Sequence, residues 1–456
     1  MTDLAHDPNA RADGRTAHDL AAVLPPNTCV NAAGHLCLAG VDLVDLAHEQ
    51  GTALYVMDEA CLRQSLRDYL EAFAVRWADF DVAYAGKAFL CQAMCRLVAA
   101  EGGCLDVSSG GELALALAAG FDPARIIVHG NNKTTPELAE AITAGAGLIV
   151  ADCFDEIQRI EQLAAQLGKR QPILLRLKPG IVADTHSYVQ TAKEDSKFGF
   201  GLADGWAREA FEMAFDAGHI ELRGFHCHIG SQIMSFGCYE QAVGVLFSFI
   251  QEIWHDYHWL PQDLDMGGGV GVAYQADDDP EGAAAMVEVL TAAVGQQCRR
   301  LDIDPDGLRL IVEPGRSIVA RAGLTLYTVG TVKALAASRT WVAVDGGMSD
   351  NIRTALYGAH YECLIAERAG QPRDTVVTVC GKHCESGDVV AIDASLQRPQ
   401  AGDTLVVCTT GAYNRSMASN YNCQPRPAVF WVKDGQARAV LRRETYEDLQ
   451  ICEVEE

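Results

Sequence analysis

Short apolar runs alternate with segments of helical spacing between residues 78 and 315. The segments GELALALAAG (111–120) and PELAEAITAG (136–145) repeat their apolar residues every three or four positions, which is typical of a helix with one buried face. Between such segments the pattern predicts eight strands: FDVAYAG (80–86), CLDVSS (104–109), RIIVHG (125–130), LIVADC (148–153), PILLRL (172–177), LRGFHCHIG (222–230), DLDMGGG (263–269) and LRLIVEPG (308–315).

The eight predicted strands favour a closed parallel barrel. The first five begin about 20–25 residues apart, which is the length of one strand–helix unit. Continuous apolar strands between helices indicate a parallel sheet that is covered on both faces. A doubly wound open sheet is the competing arrangement, but no Gly-x-Gly-x-x-Gly follows the first strand. The predicted fold class is therefore α/β, with a (β/α)8 barrel.

After Arg321 the pattern changes to strand runs separated by turn residues. These runs lack long helical segments between them, so a second, mostly antiparallel β domain (a barrel or a sandwich) is predicted. The earlier runs HLCLAGVDLVDLA and GTALYVMD are expected to join that domain. The predicted division is a flexible N-terminal tail over 1–24, an N-terminal segment over 25–55, the barrel over 56–325 and the β domain over 326–456.

Composition and charge limit the partners of this chain. With 61 acidic and 36 basic residues its net charge is −25, which argues against nucleic acid or an anionic membrane as a partner. No apolar run approaches the length of a membrane span, and the first 24 residues lack the apolar core of a signal peptide. The 16 cysteines are scattered through apolar runs, so buried thiols and a cytoplasmic location are expected.

Polar residues follow the predicted strands at their carboxyl ends, where barrel enzymes place their active sites. They are Lys87; Asp106, Ser108 and Ser109; His129, Asn131, Asn132 and Lys133; Asp152; His228 and Ser231; Gly267, Gly268 and Gly269; and Glu313 and Arg316.

Two of these positions suggest how a phosphorylated aldehyde could be held. Lys87 has the ordinary interpretation of a surface lysine, but a lysine amine can also form a Schiff base with an aldehyde. The triplet Gly267 to Gly269 has the ordinary interpretation of a tight turn, but its backbone N–H groups could also surround a phosphate.

Two further motifs suit a flat heterocycle. In HCHIGSQ, His226 and His228 could ligate a metal, but stacking of His228 on a flat ring is favoured, because a zinc site needs further ligands. In EPGR, Glu313 could form a structural salt bridge with Arg316, or it could keep a pyridine nitrogen protonated. Taken together with Lys87 and the glycines, these groups describe a site for pyridoxal 5'-phosphate, and no metal is predicted.

The motifs YAGKAF, LDVSSGGEL, HGNNKT, DSKFGF, HCHIGSQ, DMGGGVG and EPGR resemble those of the diaminopimelate decarboxylase family, in that order. GMSDNIRTALY, CESGD and GAYNRSMASNYN in the second domain resemble it too. DSKFGF and SNYN distinguish this family from the related ornithine and arginine decarboxylases and from alanine racemase. The resemblance covers residues from about 30 to 430.

This resemblance implies an alanine-racemase-like barrel with a β domain, working as a homodimer whose active sites are shared across the interface. The implied reaction removes the carboxylate at the D-centre of meso-diaminopimelate and yields L-lysine and CO2. The implied catalytic residues are Lys87, His228 and Cys384. The implied cofactor-binding residues are Lys87, Asp106, His228, Ser231, Gly268, Gly269, Glu313, Gly315, Arg316 and Tyr413. The implied substrate-binding residues are Arg316, Arg353, Tyr357, Glu385 and Tyr413, with Cys384 and Glu385 coming from the partner subunit.

The departures from the family pattern are Thr191-Ala192, where many members have Thr-Gly, and Phe89, where many have asparagine. Three alternatives stay open. A pyridoxal-dependent decarboxylase could act on another D-amino acid or on a carboxynorspermidine-like polyamine precursor. A non-catalytic relative would have lost Lys87 or Cys384, and both are present. A metal-dependent barrel hydrolase would need a His-x-His pair or a carboxylated lysine at its first strand.

Overall fold

The structure is a computed structural model that describes residue 7 and residues 9–181, 196–335 and 339–454. The described residues form two compact units. The barrel unit comprises Ser65–Gly271 and Pro280–Ser317, and the β unit draws on Met1–Gln64, Val272–Asp279 and Ile318–Glu456. The barrel was predicted over 56–325, and its compact unit is shorter at both ends because the residues at those ends belong to strands of the other unit.

The chain begins with short elements of the β unit. A 3-10 turn at Ala17–Leu20 comes first. It is followed by strands β1 Thr28–Val30, β2 Leu36–Leu38 and β3 Val41–Asp42, helix α1 Leu43–Gln50, strand β4 Leu54–Asp58 and helix α2 Glu59–Ala74. Strands β1, β2 and β3 form a small antiparallel sheet of their own. Helix α1 starts at Leu43 because the Asp42 carboxylate accepts the N–H groups of Val44 and Asp45.

Eight parallel strands then close into a barrel. In chain order its strands and helices are β5 Phe80–Ala85, α3 Gln92–Glu101, β6 Cys104–Val107, α4 Gly110–Ala118, β7 Ile126–Val128, α5 Thr135–Ala144, β8 Leu148–Ala151, α6 Phe154–Gln166, β9 Gln171–Lys178, β10 Phe200–Gly201, α7 Trp206–Phe215, β11 Ile220–His226, α8 Gly237–Tyr257, β12 Asp263–Asp265, α9 Gly282–Leu301 and β13 Arg309–Val312. The last strand pairs with the first, Leu310 opposite Phe80, so the predicted barrel is confirmed. The short strand β10 pairs only with β9, outside the ring of eight.

Strand β6 ends earlier than predicted because a polar residue at its predicted end caps the helix that follows. Strand β6 stops at Val107, and the hydroxyl of Ser109 accepts the N–H of Glu112 as the N-cap of α4. Buried apolar side chains from several of the strands form one core cluster: Ala83, Cys104, Ile127, Leu148, Val150, Leu174 and Ile311. None of the helices in the described residues is long and apolar enough to cross a membrane.

The β unit continues after the short helix α10 (Arg316–Val319). Its remaining elements are β14 Gly323–Ala334, β15 Thr340–Val344, α11 Arg353–Tyr357, β16 Cys363–Ile365, β17 Thr375–Cys380, β18 Val389–Leu396, β19 Thr404–Val407, β20 Ala428–Lys433 and β21 Gln436–Leu441. The sheet is mostly antiparallel, as predicted, with parallel pairs at β15–β17 and β20–β4. Strand β4 pairs with both β14 and β20, so GTALYVMD lies inside this sheet.

The structure differs from the predicted flexible tail over residues 9–24. Ala17, Leu20, Val23 and Leu24 are buried in the same core cluster as residues of β4 and β14. Backbone hydrogen bonds tie the segment down as well, for example from the N–H of Ala17 to a carbonyl 352 residues further along the chain, that of Ala369 (2.9 Å). The apolar residues are few and widely spaced, so their burial depends on partners that are distant in sequence.

Candidate active site

Lys87 lies where the first barrel strand meets the last. It is carried by a 3-10 turn, Gly86–Ala88, directly after β5, and it is exposed. The Ala85 N–H donates to the carbonyl of Pro314 (3.1 Å). A Cβ on Gly315 would lie only 2.9 Å from the Cβ of Ala85, so glycine is needed for this close approach. The ends of YAGK and EPGR are thereby held together, with the lysine amine accessible.

Glu313 is a buried carboxylate held by two imidazoles. The Nε2 atoms of His129 and of His226 both contact it, the latter at 3.2 Å. Burial alone would raise the pKa of Glu313, but the electrostatic interactions and hydrogen bonds with the two imidazoles outweigh burial and hold that pKa well below its usual range. Glu313 is therefore ionised at neutral pH, and it can stabilise a proton on a neighbouring ring nitrogen.

His226 and His228 are both uncharged at neutral pH. Burial lowers the pKa of His226 to about 3. Burial, together with the positive charges of Lys87 and Arg176, lowers the pKa of His228 well below its usual range. The Gly268 N–H donates to His228 Nδ1 (3.3 Å), which fixes the orientation of a neutral ring. A neutral, oriented imidazole suits stacking on a flat heterocycle.

The glycine triplet forms a backbone cradle that side chains would fill. Gly267 and Gly269 have φ values of +65° and +119°, which disfavour other residues. A Cβ on Gly268 would overlap the carbonyl of Glu313, and one on Gly269 would overlap the carbonyl of Gly230. Close packing against neighbouring backbone therefore requires glycine at these positions, and it leaves the triplet without side chains.

Ser231 and Arg316 lie within hydrogen-bonding reach of each other in the barrel unit. The Arg316 Nη2 donates to the Ser231 Oγ (3.0 Å), and Arg316 is buried. A hydroxyl and a guanidinium side by side are suited to the oxygens of an anionic group.

Three titratable groups interact with Glu313: the buried Asp106 and Asp265 and the partly buried Arg176. Asp265 and Arg176 carry no prediction from the sequence. Burial, reinforced by the charge of Glu313, raises the pKa of Asp265 well above its usual range, and burial also raises that of Asp106. Among the described residues, the Oδ1 of Asp106 is buried without a hydrogen-bond partner. The sequence signal for Asp265 and Arg176 is an ionisable residue inside a predicted strand, in DLDM and LLRL respectively.

The possible metal ligands differ from the pair considered in the sequence. Ligand atoms of His129, His226, Asp265 and Glu313 all lie within 4.8 Å of one another. The two imidazoles contact the Glu313 carboxylate directly, so these groups are hydrogen-bonded to each other. The pair His226 and His228 is not part of one such group in the described residues.

The described part of the DSKFGF motif is anchored to the barrel by two charged residues. The Gly199 N–H donates to the Asp152 carboxylate (2.9 Å), and the Arg176 guanidinium lies 4.2 Å from the ring centre of Phe198. Gly199 has a φ of +67°, and a Cβ there would lie 2.5 Å from the carbonyl oxygen of Arg176. The motif therefore needs its glycine for this packing.

Of the positions that depart from the family pattern, the structure describes only Phe89. Thr191 and Ala192, like Asp195 of the motif, lie outside the described residues. Phe89 is buried, and its carbonyl accepts the hydroxyl of Tyr84 (2.5 Å). Its side chain fills the core beside the Lys87 turn, which explains why an apolar residue is accommodated there.

In the β unit, Arg353 is buried among three tyrosines. Its Nε donates to the hydroxyl of Tyr361 (2.9 Å), and its guanidinium lies over the rings of Tyr357 (5.3 Å) and Tyr413 (5.5 Å). Tyr413 has a φ of +62°, an uncommon backbone conformation for a tyrosine. Three of the predicted substrate-binding residues thus lie together in this unit, and Tyr361 joins them without having been predicted.

Cys384 and Glu385 lie in the loop between β17 and β18, and both are exposed. The Glu385 Oε1 accepts the Gly387 N–H (3.2 Å) within the same loop. An exposed thiol and an exposed carboxylate are accessible to other molecules.

Asp350 of the GMSD motif is a buried carboxyl group with an unusually weak acidity. Burial, together with the negative charges of Asp388 and Asp345, raises its pKa to about 7, although hydrogen bonds from the Tyr327 hydroxyl and the Gly347 N–H oppose this shift. The folded protein therefore binds this proton more tightly than the unfolded chain does.

We expect Asp350→Asn to flatten the pH dependence of stability. The stabilisation from protonated Asp350 is fully present below about pH 4 and is lost as the pH rises through about 7. Between pH 5 and pH 8 the native protein should lose on the order of 2–3 kcal/mol more unfolding free energy than the variant. Urea unfolding at both pH values measures this difference, and equal losses in the two proteins would contradict the assignment.

The barrel residues fit pyridoxal phosphate by the chemistry of their groups. The glycine cradle beside Ser231 suits the phosphate, and the accessible amine of Lys87 suits the aldehyde. The neutral His228 suits one face of the ring, and the ionised Glu313 suits its nitrogen. Each feature is a property of a different strand end, and the barrel brings the strand ends together.

The fold and these residues define a pyridoxal-dependent decarboxylase of the barrel type, and the model of the family "Pyridoxal-dependent decarboxylase, pyridoxal binding domain" matches residues 60–320. The chain is 47% identical to the diaminopimelate decarboxylase of Bacillus subtilis (strain 168) over 421 residues, which cover 92% of this chain and 95% of that one. It is 43% identical to that of Mycobacterium tuberculosis (strain H37Rv) over 443 residues, covering 95% and 98%. The crystal structure of the M. jannaschii diaminopimelate decarboxylase in complex with L-lysine matches with a TM-score of 0.88 at 30% identity, covering 95% of this chain and 98% of that one. The chain belongs to the diaminopimelate decarboxylase family.

Proposed function

We propose that this protein removes CO2 from the D-centre of meso-diaminopimelate and releases L-lysine, with pyridoxal phosphate as its cofactor. The observation that carries the proposal is the group of strand ends where the accessible Lys87, the ionised Glu313 and the glycine cradle occur in one barrel. The names of its relatives support the choice of substrate.

Loss of CO2 from an amino acid leaves an electron pair on carbon that water stabilises poorly. Pyridoxal phosphate, when bound, supplies the conjugated system that accepts this electron pair. Glu313 maintains the positive charge of the ring nitrogen, since its carboxylate stays ionised between the two imidazoles. His129 and His226 therefore serve the reaction by holding Glu313 in place.

The remaining barrel residues bind and orient. Lys87 would attach the cofactor through its amine. Asp106 lies close enough to interact with the lysine charge, although burial still raises the pKa of Asp106. His228 packs on the ring, with its orientation set by the Gly268 N–H. Ser231, Gly268, Gly269, Gly315 and Arg316 are proposed to bind the phosphate region, and a phosphate-binding role for Tyr413 is implied by the sequence resemblance.

The substrate carries a second amino-acid group at its far end, which sets the specificity. Planar guanidinium groups bind a carboxylate with two hydrogen bonds at once, and this is the role proposed for Arg316 and Arg353 with Tyr357 and Tyr413. Glu385 binds the distal ammonium. A diamine precursor lacks the distal carboxylate that these buried guanidinium groups are proposed to bind, which disfavours it strongly.

Cys384 is proposed to return the proton to the carbon that has lost CO2. A thiol with an ordinary pKa near 8.5 is an effective general acid at neutral pH when it is placed within reach of the carbon. The exposure of Cys384 is consistent with a group that acts on a bound molecule.

The protein is further proposed to work as a homodimer with shared active sites in the cytoplasm. Its 16 free cysteines, nine of them buried, suit a reducing compartment. The net charge of −25 disfavours nucleic acid as a partner. The sharing of sites rests on the sequence resemblance in CESGD.

Mixing two inactive variants tests the shared site. Lys87→Ala chains and Cys384→Ala chains should each be inactive. A mixed dimer should regain up to about half of the activity of a native dimer, because one of its two sites then has both groups and the other has neither. Recovered CO2 release after subunit exchange, followed by mass spectrometry of the dimers, measures this. No recovery despite proven exchange would contradict a shared site.

A substrate panel tests the proposed function. The holoenzyme should release CO2 from meso-diaminopimelate at least about a hundredfold faster than from D-ornithine, D-lysine or carboxynorspermidine, because only the first fills the carboxylate and ammonium sites together. Faster release from carboxynorspermidine or from a simple D-amino acid would favour the alternative decarboxylases. An absence of CO2 release from all four would overturn the proposal.

A further inference from the structure

One imidazole ties the loop of Cys384 to two other segments of the β unit. We propose that His383 is a positioning residue for Cys384, because through Asn422 it fixes the backbone of the residue that carries the thiol. The inference rests on the proposed proton transfer by Cys384 and adds the group that holds the thiol in place.

His383 is buried, with 9% of its surface exposed, and both ring nitrogens have partners. Its Nδ1 lies 3.2 Å from the Oδ1 of Asn422, and its Nε2 lies 2.8 Å from the Oγ of Ser349. The backbone N–H of Cys384 donates to the same Asn422 Oδ1 (3.3 Å). One amide oxygen thus connects the imidazole and the thiol-bearing residue.

These contacts determine the roles of the atoms. The Cys384 N–H can only donate, so the Asn422 side chain presents its oxygen to the loop. The His383 Nδ1 must then carry the proton that this oxygen accepts. In the neutral imidazole the Nε2 accepts the Ser349 hydroxyl, and the three hydrogen bonds that join Ser349, His383, the Cys384 N–H and Asn422 are mutually compatible.

The backbone that carries the His383 imidazole is also held in place. The Asp388 carboxylate accepts the N–H of His383 (2.8 Å) and that of Met348 (2.6 Å). The backbone packs closely against Asp388, since a Cβ on Gly347 would lie 2.5 Å from one carboxylate oxygen and one on Gly381 would overlap the other. The ring of Tyr421 lies 5.4 Å from that of His383. The imidazole has little freedom to turn.

Loss of these contacts should affect the position of the Cys384 thiol more than the stability of the fold. Cys384 is exposed, so few side chains restrict it, and its position depends on its backbone. A proton donor displaced by about 1 Å from its working position loses much of its effect on the rate, while substrate binding by other residues is retained. Loss of the His383 hydrogen bond should therefore lower kcat and leave KM nearly unchanged.

A matched pair of variants separates the two ring nitrogens. In His383→Asn the side-chain amide nitrogen replaces Nδ1, and in His383→Gln it replaces Nε2. His383→Gln should raise hydrogen exchange at the Cys384 amide in the holoenzyme by about five- to tenfold and lower kcat by about tenfold. His383→Asn should stay within about twofold of the native protein in both measurements. Asn422→Gly, which tolerates the φ of +52° at this position, should behave like His383→Gln.

Two results would overturn the inference. One is unchanged exchange at Cys384 in both His383→Gln and Asn422→Gly. The other is an equal loss of kcat in His383→Asn and His383→Gln at equal melting temperatures, which would indicate a general structural role. Native protein that releases no CO2 from meso-diaminopimelate would instead contradict the proposed function, and the exchange comparison does not depend on turnover.

Discussion

Lys87→Ala is expected to abolish decarboxylation, with a loss of turnover on the order of 10⁴-fold or more. The reason is that the lysine amine is the group that attaches the aldehyde of the cofactor, and the barrel provides it at the strand end next to Glu313 and His228. The visible absorption of the covalently bound cofactor should disappear in the same variant. Stopped assays of CO2 release, together with an absorption spectrum, measure both effects.

Two control variants sharpen this experiment. Lys87→Arg keeps the positive charge and removes the nucleophilic amine, so it should be as inactive as the alanine variant. Lys433→Ala removes an exposed lysine of the β unit and should keep full turnover. Substantial activity in Lys87→Arg would show that charge alone is needed, which contradicts the assigned role.

Cys384→Ala should retain the cofactor and lose turnover by about 10²–10⁴-fold, the usual contribution of a general acid. The absorption spectrum should resemble that of the native protein, because Cys384 is not among the groups proposed to bind the cofactor. The KM for meso-diaminopimelate should change little, since the thiol acts after CO2 has left. Steady-state kinetics on holoenzyme of known cofactor content measures kcat and KM separately.

The many other cysteines provide the control for this variant. Cys29→Ala and Cys452→Ala remove thiols that are also exposed, and neither should alter kcat. If Cys384→Ala keeps native turnover, the proton comes from another group and the mixing experiment loses its basis.

The barrel could be predicted from the sequence because its strands are continuous apolar runs at regular intervals. The same regularity placed Lys87, Glu313 and the glycines at one end of the barrel, since the carboxyl ends of parallel strands meet there. The bounds were less accurate: Ser109 was assigned to a strand, and it caps the next helix. The end of this strand is set by a polar residue that caps the following helix, and a pattern of apolar residues gives no information about such a cap.

Other features depend on contacts between distant segments and have no local signal. The N-terminal residues Leu20 and Val23 are buried in a core to which strands β4 and β14 also contribute. In the sequence His383 is simply the residue before Cys384. The fold brings Asn422 and Ser349 to the two nitrogens of its ring.

The most direct test of the account is the reaction of meso-diaminopimelate with the holoenzyme in D2O, followed by NMR and chiral chromatography of the product. Decarboxylation at the D-centre turns that carbon into the terminal CH2 group of lysine, and the returning proton comes from a group that has exchanged with solvent. The account predicts L-lysine with a single deuterium on its terminal carbon and one CO2 for each lysine formed. D-lysine, deuterium at the remaining amino-acid centre, or CO2 without lysine would contradict it.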